Sequence, residues 1–281
     1  MRPRIIIALT GICLLLSAVI VNAGDSSEDE FIQKYMNKIE KKHTKKLTWV
    51  SGYFALNRIN RDNDYNKFAS YETVNFTDAT ISWLGDAKTF GLDFGMMFNK
   101  RFAWSVGVEY WLKIGESLEG SYFYEPVGAY IENPSSEVHV YGASTMIQYY
   151  FYNPPKVDQE LENISLRVNA GVGFYQAQWD VWSEYQNLNL ATNTSDADNA
   201  TFKDQALGFS FGAGADYPTR VFGLVLGVDF KYLYLNFDNV AWYNDQDEEI
   251  IASYTGDSDG RVDLGLSGFT GKLELKRFFS W

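Results

Sequence analysis

A strict period of two constrains this chain most: along several segments glycines and charges keep to one face, and aromatic and branched residues keep to the other. From Phe102 to Ile114, one side carries Phe102, Trp104, Val106, Val108, Tyr110, Leu112 and Ile114, and the other Ala103, Ser105, Gly107, Glu109, Trp111 and Lys113. Successive side chains of a β-strand point to opposite faces, so this is the pattern of a strand with two different environments. A second run does the same: Phe222, Leu224, Leu226, Val228, Phe230, Tyr232 and Tyr234 alternate with Gly223, Val225, Gly227, Asp229, Lys231 and Leu233. Weaker copies cover Phe90 to Phe98 and Leu207 to Asp216. The segments fall near 48–57, 88–98, 101–115, 137–152, 163–180, 204–217, 221–237 and 261–280, which predicts about eight strands. Alternation is untidy in the first and fourth, which leaves ten strands as the other count.

Connections between these segments alternate in length. Asn99-Lys100, the Asn153 to Glu162 link with Pro154-Pro155, and Pro218-Thr219-Arg220 are short or tight, whereas 58–87, 116–136, 181–203 and 238–260 are long and polar. Short turns at one end and long loops at the other characterise barrels that cross an outer membrane, with the turns in the periplasm. An even strand number places both termini on the periplasmic side.

The contents of the two faces separate a membrane barrel from a soluble one. An eight-stranded barrel has a narrow interior that side chains fill, and small residues there make room for long ones. A face of Phe, Trp, Leu and Val suits hydrocarbon. A soluble barrel would enclose Phe102, Trp104, Tyr110, Phe222 and Phe230 and leave many glycines on its water-facing strands, where they weaken pairing without packing. Aromatics make up 17% of the chain, and it has 23 glycines; no apolar run after residue 23 is long enough for a spanning helix. A membrane protein without such a helix must close its backbone into a barrel. The expected fold is therefore all-β: a closed antiparallel transmembrane barrel of about eight strands over residues 47–281.

Ahead of it, residues 1–23 read as an export signal, with Arg2 and Arg4, an apolar stretch from Ile5 to Val21, and a small-residue cleavage site at Val21-Asn22-Ala23. An uncleaved anchor is the alternative, which the acidic run from Gly24 to Glu30 disfavours. Residues 24–46 form a periplasmic leader, with Phe31, Ile32, Tyr35, Met36 and Ile39 at the spacing of a short amphipathic helix and Lys41, Lys42, Lys45 and Lys46 at its end. Loss of Arg2 and Arg4 takes the formal charge from -12 to -14, which argues against a nucleic-acid partner. Cys13 lies inside the signal, so the exported chain has no disulfide, no thiol nucleophile and no cysteine metal site.

The carboxyl end, Leu273-Glu274-Leu275-Lys276-Arg277-Phe278-Phe279-Ser280-Trp281, resembles the terminal strand by which small bacterial outer-membrane barrels of the OmpA-type and OmpW-type families are assembled. Leu273, Leu275 and Phe279 alternate ahead of the final aromatic Trp281, and Arg277 departs from the pattern. The resemblance implies a bacterial outer-membrane location, with the membrane lipids, lipopolysaccharide and the assembly machinery as partners. Upstream, Val262, Leu264 and Leu266 have the opposite parity, so the register must shift between them and Leu273, with Gly268 and Gly271 as candidates for a bulge.

The charges expected inside are Asp93, Arg101, Glu109, Lys113, Arg167, Asp216, Asp229, Lys231, Lys272, Glu274 and Lys276. They either pair into a network that plugs the barrel or line a narrow ion path; eight strands leave little room for water, which favours the plug. Catalysis is poorly supplied. His139 near Ser135, Ser136 and Ser144 is the one constellation that would suit a lipopolysaccharide-modifying enzyme, and it matches no known spacing. Asp257-Ser258-Asp259-Gly260 lacks the further ligands of a calcium loop, so no metal site and no cofactor is expected. The aromatics Tyr122, Phe123, Tyr124, Tyr130, Trp179, Trp182, Tyr185, Trp242 and Tyr243 read as an interfacial girdle or a ligand surface. Together these features point to a non-enzymatic envelope protein that acts in envelope structure or binds through its extracellular loops, with a narrow porin-like channel for small or apolar solutes and a lipid-modifying enzyme as alternatives. The loop ligand has no sequence signature.

Overall fold

The computed structural model describes residues 46–60, 63–67, 70, 84–117, 121–124, 129–156, 163–187, 195–219, 221–243, 248–250 and 261–280. The expected signal and all of the leader except Lys46 lie outside the described residues, as does Trp281. Twelve strands follow in order: β1 (Leu47–Ile59), β2 (Asp86–Met97), β3 (Phe102–Ser117), β4 (Ser121–Tyr124), β5 (Ala129–Tyr152), β6 (Ser165–Asn187), β7 (Ser195–Pro218), β8 (Leu224–Tyr234), β9 (Asn236–Tyr243), β10 (Glu249–Ile250), β11 (Val262–Gly265) and β12 (Gly268–Ser280).

Eight of them close a ring. β1 pairs with β2, β2 with β3, β3 with β5, β5 with β6, β6 with β7, β7 with β8, β8 with β12, and β12 returns to β1, every pair antiparallel. Closure leaves no sheet edge around the wall, the condition for placing strands in lipid. The four remaining strands extend the wall at the long-loop end, where β4 pairs with β5, and β9 pairs with β7, β10 and β11.

The outward face fits hydrocarbon. Leu92 is 61% exposed, Phe211 66%, Phe230 71% and Phe269 70%, and every wall strand contributes large apolar side chains to the same surface. This apolar band runs from Tyr141 to Phe151 on β5 and from Leu207 to Tyr217 on β7, matching the roughly 9–11 residues that a tilted strand needs to cross a bilayer. Phe98 and Phe102 stack beside the Asn99-Lys100 turn, with Tyr149 against Phe102, so aromatics flank the band at the short-turn end.

Several expectations change. β5, β6 and β7 have 24, 23 and 24 residues, so most of the segments expected to be loops at 116–136 and 181–203 is paired strand that continues beyond the apolar band. A backbone ladder satisfies its own polar groups whatever the side chains, so polar sequence continues it without cost. β8 begins at Leu224, because Val221–Leu224 forms a tight turn with Phe222 and Gly223 at φ 50° and 67° and the Leu224 amide donating to the Val221 carbonyl. Those are the backbone angles of the hairpin turn that follows strand twist. On β3 the register shifts between Trp111 and Ile114, so the alternation read as unbroken to Ile114 ends at a bulge. The parity change expected before the last strand does not occur: Val262, Leu264 and Leu266 are buried on the same inward parity as Thr270, Lys272 and Glu274, because they pack in the interior and do not face lipid, and only a strand break at Leu266-Ser267 separates β11 from β12. There the Leu235 amide donates to Ser267 Oγ at 2.9 Å, while Gly271 keeps a regular ladder position.

Candidate functional site

The inward face is stacked in three layers. At the short-turn end Leu47, Trp49, Met97, Ala103 and Tyr150 pack together with Phe278, and Trp49 is 1% exposed. At the long-loop end a larger apolar cluster includes Trp111, Val138, Tyr175, Trp179, Phe202, Leu235, Phe237 and Leu264. Trp179, expected in an interfacial girdle, belongs to this cluster: it stacks on Phe202 at 4.8 Å, and its indole N–H donates to Ser136 Oγ at 2.8 Å. The cluster is capped from above by residues 63–66, between β1 and β2. Asn63, Asp64, Tyr65 and Asn66 are all buried there, and the Tyr65 ring lies 5.3 Å from Trp179. Asn66 clamps the segment, its Oδ1 accepting from the Leu84 amide at 2.7 Å and its Nδ2 donating to the Leu84 carbonyl at 3.3 Å.

Between the apolar layers lies a belt of charge. Arg167 on β6 reaches Asp216 on β7 and Asp229 on β8, and its Nη2 stands 2.9 Å from Glu274 on β12. Lys276 lies 3.0 Å from Asp216 and 2.8 Å from Glu274; Lys272 lies 2.8 Å from Glu274 and also meets Asp93 on β2. Glu109 on β3 accepts from the Tyr53 hydroxyl at 2.8 Å and from the Trp111 indole at 3.1 Å. Lys231 is buried beside them on β8. The strand periodicity aims these groups inward, and buried ions persist where each meets an opposite charge or a hydrogen bond. Arg101, expected among them, is exposed on the turn before β3, where its Nη1 donates to the Tyr149 hydroxyl at 3.1 Å. It sits one residue outside the strand, so alternation does not govern its direction. The Lys113 side chain lies outside the described residues.

Sequence reasoning missed the polar side chains that complete the belt. Tyr150 donates to Asp216 at 3.1 Å and Asn169 to Asp229 at 2.9 Å. Their inward parity was the available signal. Leu273, Leu275 and Phe279 of the expected assembly signal are outward and about half exposed, with Arg277 5.6 Å from the Phe279 ring.

On the outer surface at the long-loop end, the apolar band gives way to a polar grid. His139 Nε2 lies 3.6 Å from Glu137, and its Nδ1 is 3.4 Å from the Tyr110 hydroxyl. Ser136 is fully buried on the inner face, and Ser144, paired with the inward Gly107, shares that face, so neither reaches the outward imidazole. The Ser135 side chain lies outside the described residues. Glu249 pairs with Arg261, and among the described residues no group of three His, Cys, Asp or Glu is placed to hold a metal; Asp257 and Asp259 are outside them.

No protein-family model matches the chain, and no curated protein matches it in sequence. Similar solved structures include the attachment invasion locus protein Ail of Yersinia pestis, 14% identical over 83% of this chain and 98% of that one with a TM-score of 0.35. A major outer membrane protein from Thermus thermophilus is 13% identical over 84% and 100%, with a TM-score of 0.40. The outer membrane protease OmpT from Escherichia coli is 10% identical over 85% and 98%, with a TM-score of 0.35. Likeness this distant transfers no function. The closed ladder, the apolar outer band and the charged core make the chain a transmembrane antiparallel β-barrel of eight strands, the architecture of the small bacterial outer-membrane barrels.

Proposed function

We propose that this protein is a sealed, non-enzymatic anchor of the bacterial outer membrane that carries a binding surface on its long-loop end, outside the cell. The observation that carries this reading is the wall-to-wall bridging at mid-barrel: Arg167, 1% exposed, ties β6 to β7, β8 and β12 between two buried apolar layers. A water path would need a gap through all three layers, whereas an eight-stranded wall encloses only enough room for its own side chains. The lengths of β5, β6 and β7 beyond the apolar band supply a paired-strand surface at the outer end, which supports a binding role there. Export by the 1–23 signal and recognition of the last strand by the assembly machinery belong to the same reading.

The channel alternative makes Tyr65 a gate, because that ring is fully buried over the upper apolar cluster against Trp179. Single-channel recording of the refolded chain in a planar bilayer separates the two. Wild type and Tyr65→Ala are both expected to be silent, since the belt and the Trp49 layer remain closed beneath the mouth. Reproducible conductance steps that appear in Tyr65→Ala would establish a gated path and overturn the anchor.

A further inference from the structure

Above the closed ring, the described residues show an interruption of the ladder between β7 and its neighbours. β7 pairs with β8 as far as Phe209 opposite Tyr234 and resumes with β9 at Lys203 opposite Ala241, so Asp204 to Gly208 have no ladder partner on that side. At this seam the outer surface sinks into a cleft of about 480 Å³ lined by Gln176, Lys203, Asp204, Gln205 and Tyr243. The volume is that of a small-ligand site.

We propose that this cleft binds carbohydrate, taking one or two neutral sugar rings. Gln176 and Gln205 are register partners, both exposed, and neither amide has a hydrogen-bond partner among the described residues. Their neighbour Gln178, by contrast, donates to both carboxylate oxygens of Asp180, at 3.0 and 2.8 Å. Each unengaged amide offers a donor and an acceptor in one plane, the complement of adjacent hydroxyls that both give and accept. Tyr243 supplies an aromatic face for the apolar side of a sugar ring and a hydroxyl at its tip. Lys203 and Asp204 cancel in charge, so the cleft has no excess of cations to select a phosphate. Depth agrees with this class of ligand. One step down the same strands, the pair Phe174 and Leu207 begins the apolar band, which sets the cleft about 7 Å along the tilted strands and so roughly 5 Å above hydrocarbon, at the level of membrane headgroups. The sugar thus comes from a glycolipid in the same leaflet or from a free glycan.

The inference rests on the reading that this end faces outside, and its test is independent of conductance. The full chain, folded in a sugar-free amine-oxide detergent, is mixed with glucose, galactose, mannose, N-acetylglucosamine and their disaccharides, and saturation transfer from protein to sugar is recorded. At least one sugar is expected to be saturated, and Gln205→Leu and Tyr243→Ala are each expected to weaken its binding at least tenfold while keeping the gel mobility of a folded barrel. In a second arm, wild type and Gln205→Leu are extracted from glycolipid-bearing membranes and the co-purified lipid is weighed by mass spectrometry. A Gln205-dependent glycolipid assigns the membrane source; sugar binding in the first arm alone assigns free glycan. If neither arm shows a sugar that depends on Gln205 or Tyr243, the proposal is overturned and the sealed-barrel reading is untouched.

Discussion

Replacing Arg167 with methionine is expected to destabilise the folded barrel by about 3–5 kcal/mol, the cost of leaving buried charges without their partner. The belt holds five carboxyl groups, Asp93, Glu109, Asp216, Asp229 and Glu274, against four cations, Arg167, Lys231, Lys272 and Lys276, all within the closed interior. Arg167 alone touches three of the five. Its loss leaves Asp216 to Lys276 and the Tyr150 hydroxyl, Glu274 to Lys272 and Lys276, and Asp229 to the Asn169 amide. Urea titration of wild type and variant in the same lipid vesicles, followed by tryptophan fluorescence, reads the difference. Adding Asp229→Leu to Arg167→Met removes one stranded charge, so the double variant is expected to be more stable than Arg167→Met alone, a coupling that a double-mutant cycle isolates. A single variant within about 1 kcal/mol of wild type would show that the belt is hydrated and weakly coupled, and would remove the main support for a sealed barrel.

The fold was legible in the sequence because a membrane wall imposes one rule on every strand. Phe90, Leu92 and Phe94 against Gly91, Asp93 and Gly95 state lipid and interior directly, and the same parity that sorts them places Glu109, Arg167, Asp229 and Glu274 inside. Legibility failed where the rule lapses. Arg101 stands on a turn, beyond the reach of alternation. The bulge after Trp111 inserts a backbone irregularity that no residue type announces, and Val262, Leu264 and Leu266 read as lipid-facing although they pack inward in the upper apolar cluster, where an apolar side chain suits either face. The capping segment was invisible for another reason: Asn63, Asp64 and Asn66 have the composition of a solvated loop, yet they bury by satisfying backbone groups, as the Asp64 carboxylate does in accepting from the Asp263 amide at 2.6 Å. Such long-range pairing has no local signature. The rim cleft was hidden in the same way, since the seam exists only because β9 is displaced from β7, and only that displacement brings Tyr243 near Gln176 and Gln205.

Gly212→Val is expected to destabilise the barrel by about 3 kcal/mol, the upper end of the overpacking range. The reason follows from how a ring of eight strands holds so much inside it. Tyr175 fits only because Gly142, Gly173 and Gly208 surround its ring; a Cβ on any of them would stand 2.6 or 2.7 Å from it. Asp93 and Asp229 lie against Gly107 and Gly214 in the same manner. At most of these sites the obstructing atom ends a side chain, which can yield. At Gly212 it is backbone: a Cβ would sit 2.7 Å from the Lys231 Cα and closer still to the Phe230 carbonyl oxygen, so β7 and β8 must part. Parting them opens the wall beside the seam, where β7 already lacks a partner above Phe209, and draws Asp229 away from Arg167. Gly52→Ala on the lipid face is the control. The nearest atom to its Cβ would be Leu92 Cδ2 at 3.7 Å, an ordinary contact, and its stability is expected to stay within about 0.5 kcal/mol of wild type. Comparison of the two by urea titration in vesicles tests whether interior glycines are spacers for the belt. Equal effects at the two positions would mean that glycine weakens the wall merely as a poor strand former, and that the shared face of glycine and charge in the sequence has no steric cause.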